Sequence, residues 1–155
     1  MVVKKTYSLT QEGLDELKKE LESLLAERNK ITESIKIAKE FGDLTENSEY
    51  QAARADQELN ESRIDEIEHI LQNYELIKLN NKSAKVQLGS RVTLKNEKNV
   101  VKELQIVGTV EADPLNGKIS DESPIGKALM GKAKNDTVEV GPETERTVYS
   151  IVDIF

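Results

Sequence analysis

Gly42-Asp43-Leu44-Thr45-Glu46-Asn47-Ser48-Glu49-Tyr50 is the one interruption in a long helical stretch. From Leu14 to Leu88 the chain has no proline, and Gly42 is its only glycine. Helix-compatible sequence lies on both sides of that breaker. The expected form is a helical hairpin that carries Asp43 and Glu46 at its tip.

Working outward from the tip, the apolar spacing supports the hairpin. Before it, Leu14, Leu17, Leu21, Leu24, Ile31, Ile35 and Ala38 recur in steps of three and four, with Arg28 in the remaining slot. After it the rhythm returns in Tyr50, Ala53, Gln57, Asn60, Ile64, Ile67, Leu71 and Tyr74. Alternating steps of three and four are the heptad pattern of a coiled coil. Folded about the tip, Ala38 comes near Ala53, Ile31 near Asn60 and Leu21 near Leu71. Arg28 falls opposite Glu61, Ile64 and Asp65, so its guanidinium is expected to snorkel to one of those carboxylates. Thr10 suits the N-cap of the first helix. A helix of about 30 residues rises roughly 45 Å. The mirrored seam favours a monomer when free. A coiled coil that only spaces or dimerises is the plainer alternative.

The pattern changes beyond residue 79. All three prolines and six of the eight glycines lie past residue 88. Strand-like runs appear at Arg91–Lys95, Leu104–Val110, Thr137–Val140 and Thr147–Phe155. One short helix is signposted between them: Ser123 as cap, Pro124 in its first turn, Ile125, Ala128 and Leu129 as its apolar face, Gly131 at its end. The expected class is α+β, with a coiled-coil arm over 1–79 and a small α+β domain over 80–155.

Charge and composition narrow the function. The net charge of −7 falls on the arm: residues 1–79 hold 11 Lys and Arg against 18 Asp and Glu, while residues 80–155 hold 11 of each. An acidic arm argues against broad binding to duplex nucleic acid, which needs clustered cations to neutralise phosphates. The absence of cysteine excludes thiol catalysis, disulfides and Cys-ligated zinc. No signal-peptide core opens the sequence, and no apolar run approaches the roughly 20 residues of a membrane span. A soluble cytoplasmic protein without a membrane partner is expected.

Asp43 and Glu46 fit two readings. Their spacing at a helix start is that of a capping-box-like N-terminus, with Thr45 a rival cap, and the macrodipole favours carboxylates there without any function. They also suit Mg²⁺, which takes hard oxygen ligands and is often held by one or two carboxylates plus substrate phosphates. Two carboxylates are an incomplete site. The tip could only add ligands to a metal held by another molecule.

The tip sequence, continued by Gln51-Ala52-Ala53-Arg54, resembles the hairpin tip of the bacterial Gre transcript cleavage factors, and the GreA branch more than GreB. Leu9-Thr10-x-Glu12-Gly13, Ile106-Val107-Gly108 with Glu111-Ala112-Asp113, Ile119-Ser120, and Ser123-Pro124-Ile125-Gly126-Lys127-Ala128-Leu129-Met130-Gly131-Lys132 match in the same order. Ser48 stands where the family often has alanine. The resemblance implies an antiparallel coiled coil followed by an FKBP-like domain. It implies binding to bacterial RNA polymerase, with the coiled coil entering the secondary channel. The factor would stimulate the polymerase's own Mg²⁺-dependent cleavage of the nascent RNA 3′ end in backtracked complexes, having no bound cofactor and no independent enzyme activity. Carried over residue by residue, Asp43 would help hold the second Mg²⁺ and Glu46 would position or deprotonate the attacking water. Lys39 and Arg54 would contact the extruded RNA, and Ser123, Pro124 and Ile125 would contribute to polymerase docking.

Each carry-over has a plainer counterpart. Lys36, Lys39 and Arg54 also suit solvated surface charge, pairing with Glu33, Glu40 or Asp56. His69, the only histidine, falls off the seam and reads as surface. Rival functions are a non-cleaving secondary-channel inhibitor and an unrelated coiled-coil adaptor. A prolyl isomerase is disfavoured, because residues 80–155 hold only Tyr149 and Phe155 as aromatics.

Overall fold

The computed structural model describes residues 6–42, 47–78 and 84–155. Its class is α+β: two long helices followed by a sheet domain. Contacts divide the chain into two compact units, one formed by Leu14–Asn73 and the other by Met1–Gly13 with Tyr74–Phe155.

In the helical unit, α1 (Gln11–Glu40) and α2 (Ser48–Gln72) run antiparallel. Glu20 pairs with Arg63, whereas Ala38 bonds Asn47, so advancing along α1 retreats along α2. The heptad positions Leu14, Leu17, Ile31, Ile35 and Ala38 of α1 and Ala53, Ile64 and Ile67 of α2 are buried. Arg28 reaches out of the seam as expected and meets Glu61 with two hydrogen bonds, Nε at 2.7 Å and Nη2 at 3.0 Å. Asn60 is buried in the seam and satisfied, its Nδ2 donating to the Leu24 carbonyl at 3.1 Å. One satisfied polar residue in a coiled-coil seam fixes register at some cost in stability.

The expected seam departs from the structure at its end. α2 stops at Gln72, where the Asn73 N–H donates to the Ile70 carbonyl and its Nδ2 to the His69 carbonyl. Ile70 is fully buried while Leu71 is half-buried, and Tyr74 leaves the seam for a strand.

Arg63 meets Glu20 through Nε at 2.7 Å and Nη2 at 2.9 Å. These hydrogen bonds are the main reason the Glu20 carboxyl is held below its ordinary range, partial burial opposing them. A carboxyl with a depressed folded pKa contributes stability above its unfolded pKa and loses it as pH falls through the folded one. The two side chains keep 37% and 40% exposure, so solvent screening limits the contribution to below about 1 kcal/mol. Glu20→Gln should lower the urea midpoint slightly at pH 7. The difference from wild type should vanish in acid, below the lowered Glu20 pKa, as parallel urea titrations would read.

The other unit holds a short strand pair, β1 (Tyr7–Leu9) and β2 (Tyr74–Leu76), and a five-stranded sheet. β3 (Arg91–Asn96) pairs antiparallel with β4 (Val101–Val107) and with β7 (Thr147–Ile154). β5 (Lys118–Ser120) is parallel to β4, and β6 (Thr137–Val140) antiparallel to β7. Alternation aims Val92 and Leu94, Leu104 and Ile106, Val138 and Ile151 at one face, where Leu129 of α3 (Pro124–Leu129) and Val86 complete the core. The expected strand at Leu104–Val110 begins earlier and ends at Val107, and β1, β2 and β5 are additional.

β1 and β2 pair in parallel, Leu9 opposite Leu76, and the whole helical hairpin is the connection between them. Two glycines let this pair approach the sheet. A Cβ on Gly108 would overlap the Ser8 carbonyl oxygen, and one on Gly13 would overlap the Glu111 carboxylate. That carboxylate accepts from the Thr10 N–H at 3.0 Å and from the Thr10 hydroxyl, and the hydroxyl oxygen in turn accepts from the Gly13 N–H at 3.0 Å. Thr10 is therefore the cap expected for α1, and Glu111 is what holds it. The separate motifs at Leu9–Gly13 and Gly108–Glu111 are two halves of one contact.

Candidate functional site

α2 begins at Ser48, and the residue before it, Asn47, is its N-cap. Asn47 has extended backbone (φ −83°, ψ 100°), and its Oδ1 accepts from the N–H groups of Glu49 at 3.1 Å and Tyr50 at 3.2 Å. Asn is among the strongest N-caps because its side-chain oxygen satisfies N–H groups that the first helical turn leaves without partners. Its Nδ2 donates across to the Ala38 carbonyl of α1 at 2.8 Å. Behind it Tyr50 packs on Ile31, Ile35 and Ala53.

Asp43 and Glu46, with Thr45, lie outside the described residues. The acceptor for the first-turn N–H groups of Glu49 and Tyr50 is Asn47, so α2 has a cap of its own. The sequence contained the signal, an Asn directly before Ser48-Glu49-Tyr50. It was obscured by two other capping residue types, Asp43 and Thr45, just upstream.

Lys39 is exposed in the last turn of α1, where the macrodipole favours a cation. Arg54 is exposed in the second turn of α2, and its Nη1 donates to Gln57 Oε1 at 2.7 Å, so its partner is an amide and none of the expected carboxylates. Among the described residues, Lys36 and Lys39 have no carboxylate within ion-pairing distance. His69 is exposed, as its place off the seam predicted.

Ser123, Pro124 and Ile125 belong to the sheet unit and open α3. Ser123 Oγ donates to the Ser120 carbonyl at 2.6 Å and accepts from the Gly126 N–H at 3.1 Å. Pro124 is exposed at the first helical position, while Ile125 is half-buried against the core. Gly131 follows the helix with φ +78°, its N–H donating to the Val86 carbonyl.

Among the described residues no cluster of three or more His, Cys, Asp and Glu side chains could hold a metal ion, and no helix is long and apolar enough to cross a membrane. The donor chemistry of Asp43 and Glu46 fits Mg²⁺ as part of a shell. Carboxylate oxygens are the right ligands, but near-octahedral coordination needs more than two side chains give.

Comparison with known proteins identifies the lineage. Residues 7–76 match the family described as "Transcription elongation factor, N-terminal", and residues 81–155 match "Transcription elongation factor, GreA/GreB, C-term". The chain belongs to the GreA/GreB transcription elongation factor family. It is 48% identical over 148 residues to transcription elongation factor GreA of Acholeplasma laidlawii, covering 94% of each chain. To the GreA of Leuconostoc mesenteroides it is 49% identical over 144 residues, 90% of this chain and 89% of that one. To the GreA of Macrococcus caseolyticus it is 46% identical over 157 residues, 99% of each. Both halves of this GreA/GreB family chain thus match in order, the helical hairpin in the first and the five-stranded sheet in the second.

Proposed function

We propose that this factor binds bacterial RNA polymerase as a monomer, inserts its coiled coil into the secondary channel and stimulates cleavage of backtracked RNA. Asp43 and Glu46 are the working pair in this reading. The observation that carries it is the cap of α2: Asn47 already occupies that position, which leaves the acidic pair available for chemistry in a chain of this family.

The chemistry follows from the residue types. Backtracking extrudes the RNA 3′ end, which then cannot be extended. When held there, a pair of Mg²⁺ ions would supply charge stabilisation for an in-line displacement at phosphorus. The polymerase would supply most of their ligands. Asp43 would add a carboxylate that favours occupancy of the weaker site, and Glu46 would orient or deprotonate the attacking water. Lys39 and Arg54, exposed on the last turn of α1 and near the start of α2, offer cations to the RNA phosphates. Ser123, Pro124 and Ile125 contribute to polymerase docking from the sheet unit. The factor lends groups to another enzyme's active site.

The test uses a backtracked elongation complex with 3′-labelled RNA and Mg²⁺. Wild-type protein should speed release of short 3′ fragments, and the Asp43→Ala/Glu46→Ala variant should bind the polymerase without doing so. Binding by the wild type with no acceleration would overturn cleavage in favour of a channel-blocking inhibitor. No binding at all would point to a coiled-coil adaptor.

A further inference from the structure

Capping a helix needs only an acceptor, and Ser or Asp provides one as well as Asn does. Asn47 carries a donor too, and the structure places that donor on the opposite helix. Its Nδ2 donates at 2.8 Å to the Ala38 carbonyl, which also accepts from the Phe41 N–H at 3.2 Å as α1 ends. On the other side its Oδ1 accepts from Glu49 and Tyr50, and its carbonyl accepts from the Gln51 N–H at 3.0 Å. One side chain therefore ties the end of α1 to the start of α2. The stretch 39–46, which contains Asp43 and Glu46, lies between the two tied points.

We infer that Asn47 is a positioning residue for Asp43 and Glu46: its bond to Ala38 clasps both ends of the segment that carries them. This rests on the proposed role of that pair in cleavage. A carboxylate that must meet a metal and a water inside a partner's active site gains its effect from placement. Functional constellations need their groups held within about 0.5 Å of the productive geometry, and a misplacement of about 1 Å can cost roughly a hundredfold in rate. The clasp joins the end of α1 to the start of α2, so it governs cleavage without contributing to docking by the sheet unit.

Asn47→Asp and Asn47→Ser separate the clasp from the cap. Both keep an acceptor for Glu49 and Tyr50. Aspartate has no donor for Ala38, and the serine hydroxyl sits on a shorter side chain. Aspartate adds a charge whereas serine does not, so a shared effect is not electrostatic. Three quantities would be measured: cleavage rate at saturating factor, factor concentration at half-saturation, and hydrogen exchange of the Glu49 and Tyr50 amides. Both variants should cleave about tenfold more slowly, a loss smaller than the roughly hundredfold that a misplacement of about 1 Å can cost. Half-saturation and amide exchange should match wild type.

Wild-type cleavage rates in both variants would overturn the clasp. So would faster amide exchange that tracks the loss of rate, because Asn47 would then be only a cap. Asp43→Ala/Glu46→Ala, run alongside, keeps the two readings apart. If wild type accelerates cleavage and the double variant does not, the outcome for Asn47 bears on the clasp alone. If wild type fails to accelerate cleavage, the role of the acidic pair falls and the clasp falls with it.

Discussion

Gly126→Ala is expected to destabilise the sheet unit by about 3 kcal/mol, at the upper end of what overpacking costs. Gly126 is buried in α3, and an added Cβ would overlap the Ser120 carbonyl oxygen, with the Ser120 carbonyl carbon at 2.9 Å and Ser123 Oγ at 3.0 Å. None of these neighbours can yield easily. The Ser120 carbonyl accepts from both the Ser123 N–H at 3.1 Å and the Ser123 hydroxyl, and Ser120 ends β5. Moving α3 outward instead would withdraw Leu129 from the core. For a domain of this size about 3 kcal/mol corresponds to a fall in melting temperature of roughly 12–24 °C. Gly131→Ala supplies the contrast. It has a left-handed φ of +78° but nothing within 4 Å of an added Cβ, so only the backbone penalty of about 1 kcal/mol applies. Thermal unfolding of the two variants side by side decides the matter, and equal losses would refute the steric account. On the proposed docking role of Ser123, Pro124 and Ile125, which stand on the same helix start, Gly126→Ala should also weaken polymerase binding as its unfolding range is approached.

The same contrast separates what could be read in the sequence from what could not. The hairpin was legible because its information is local and periodic: one glycine in a long stretch, steps of three and four, and an Arg in a slot facing Glu61. α3 was legible for a similar reason, since Ser123, Pro124 and Gly131 are start and stop signals a few residues apart. The lock between Thr10 and Glu111 was not, because its partners are 101 residues apart and neither has an unusual local pattern. Gly13 and Gly108 appeared as parts of separate motifs, and only the folded chain shows that a side chain at Gly108 would meet the Ser8 backbone and one at Gly13 would displace the Glu111 carboxylate. β1, β2 and β5 span three residues each, too short for alternation to register. Asn47 was passed over for the opposite reason, an excess of capping residue types in the tip. Arg63 offered no seam position to single it out, yet it bridges to Glu20 on the other helix and to Glu66 on its own.

Asp43→Asn and Glu46→Gln are expected to impair stimulated cleavage strongly and in distinguishable ways. Asparagine keeps the size of aspartate and one carbonyl oxygen but loses the charge that makes a carboxylate a strong ligand for a hard cation. If Asp43 supplies a ligand at the weaker Mg²⁺ site, its loss raises the Mg²⁺ concentration needed. About 1.4 kcal/mol of lost affinity is a tenfold shift in half-saturation, so added Mg²⁺ should restore much of the rate. Glu46→Gln removes a group assigned to the water. Positioned proton transfer contributes roughly 10²- to 10⁴-fold, and no concentration of Mg²⁺ replaces it. The Glu46 variant should therefore have a depressed maximal rate with an unchanged Mg²⁺ midpoint. Both should compete with wild type for the polymerase undiminished, since docking is assigned to the other unit. Magnesium titrations of cleavage at saturating factor would separate the two. Identical responses would mean that the carboxylates share one role, and unaltered cleavage in both would remove the acidic pair from the chemistry. The division of labour thus rests on a difference in kind between the variants, a shifted midpoint against a lowered ceiling, which a general weakening of the tip cannot imitate.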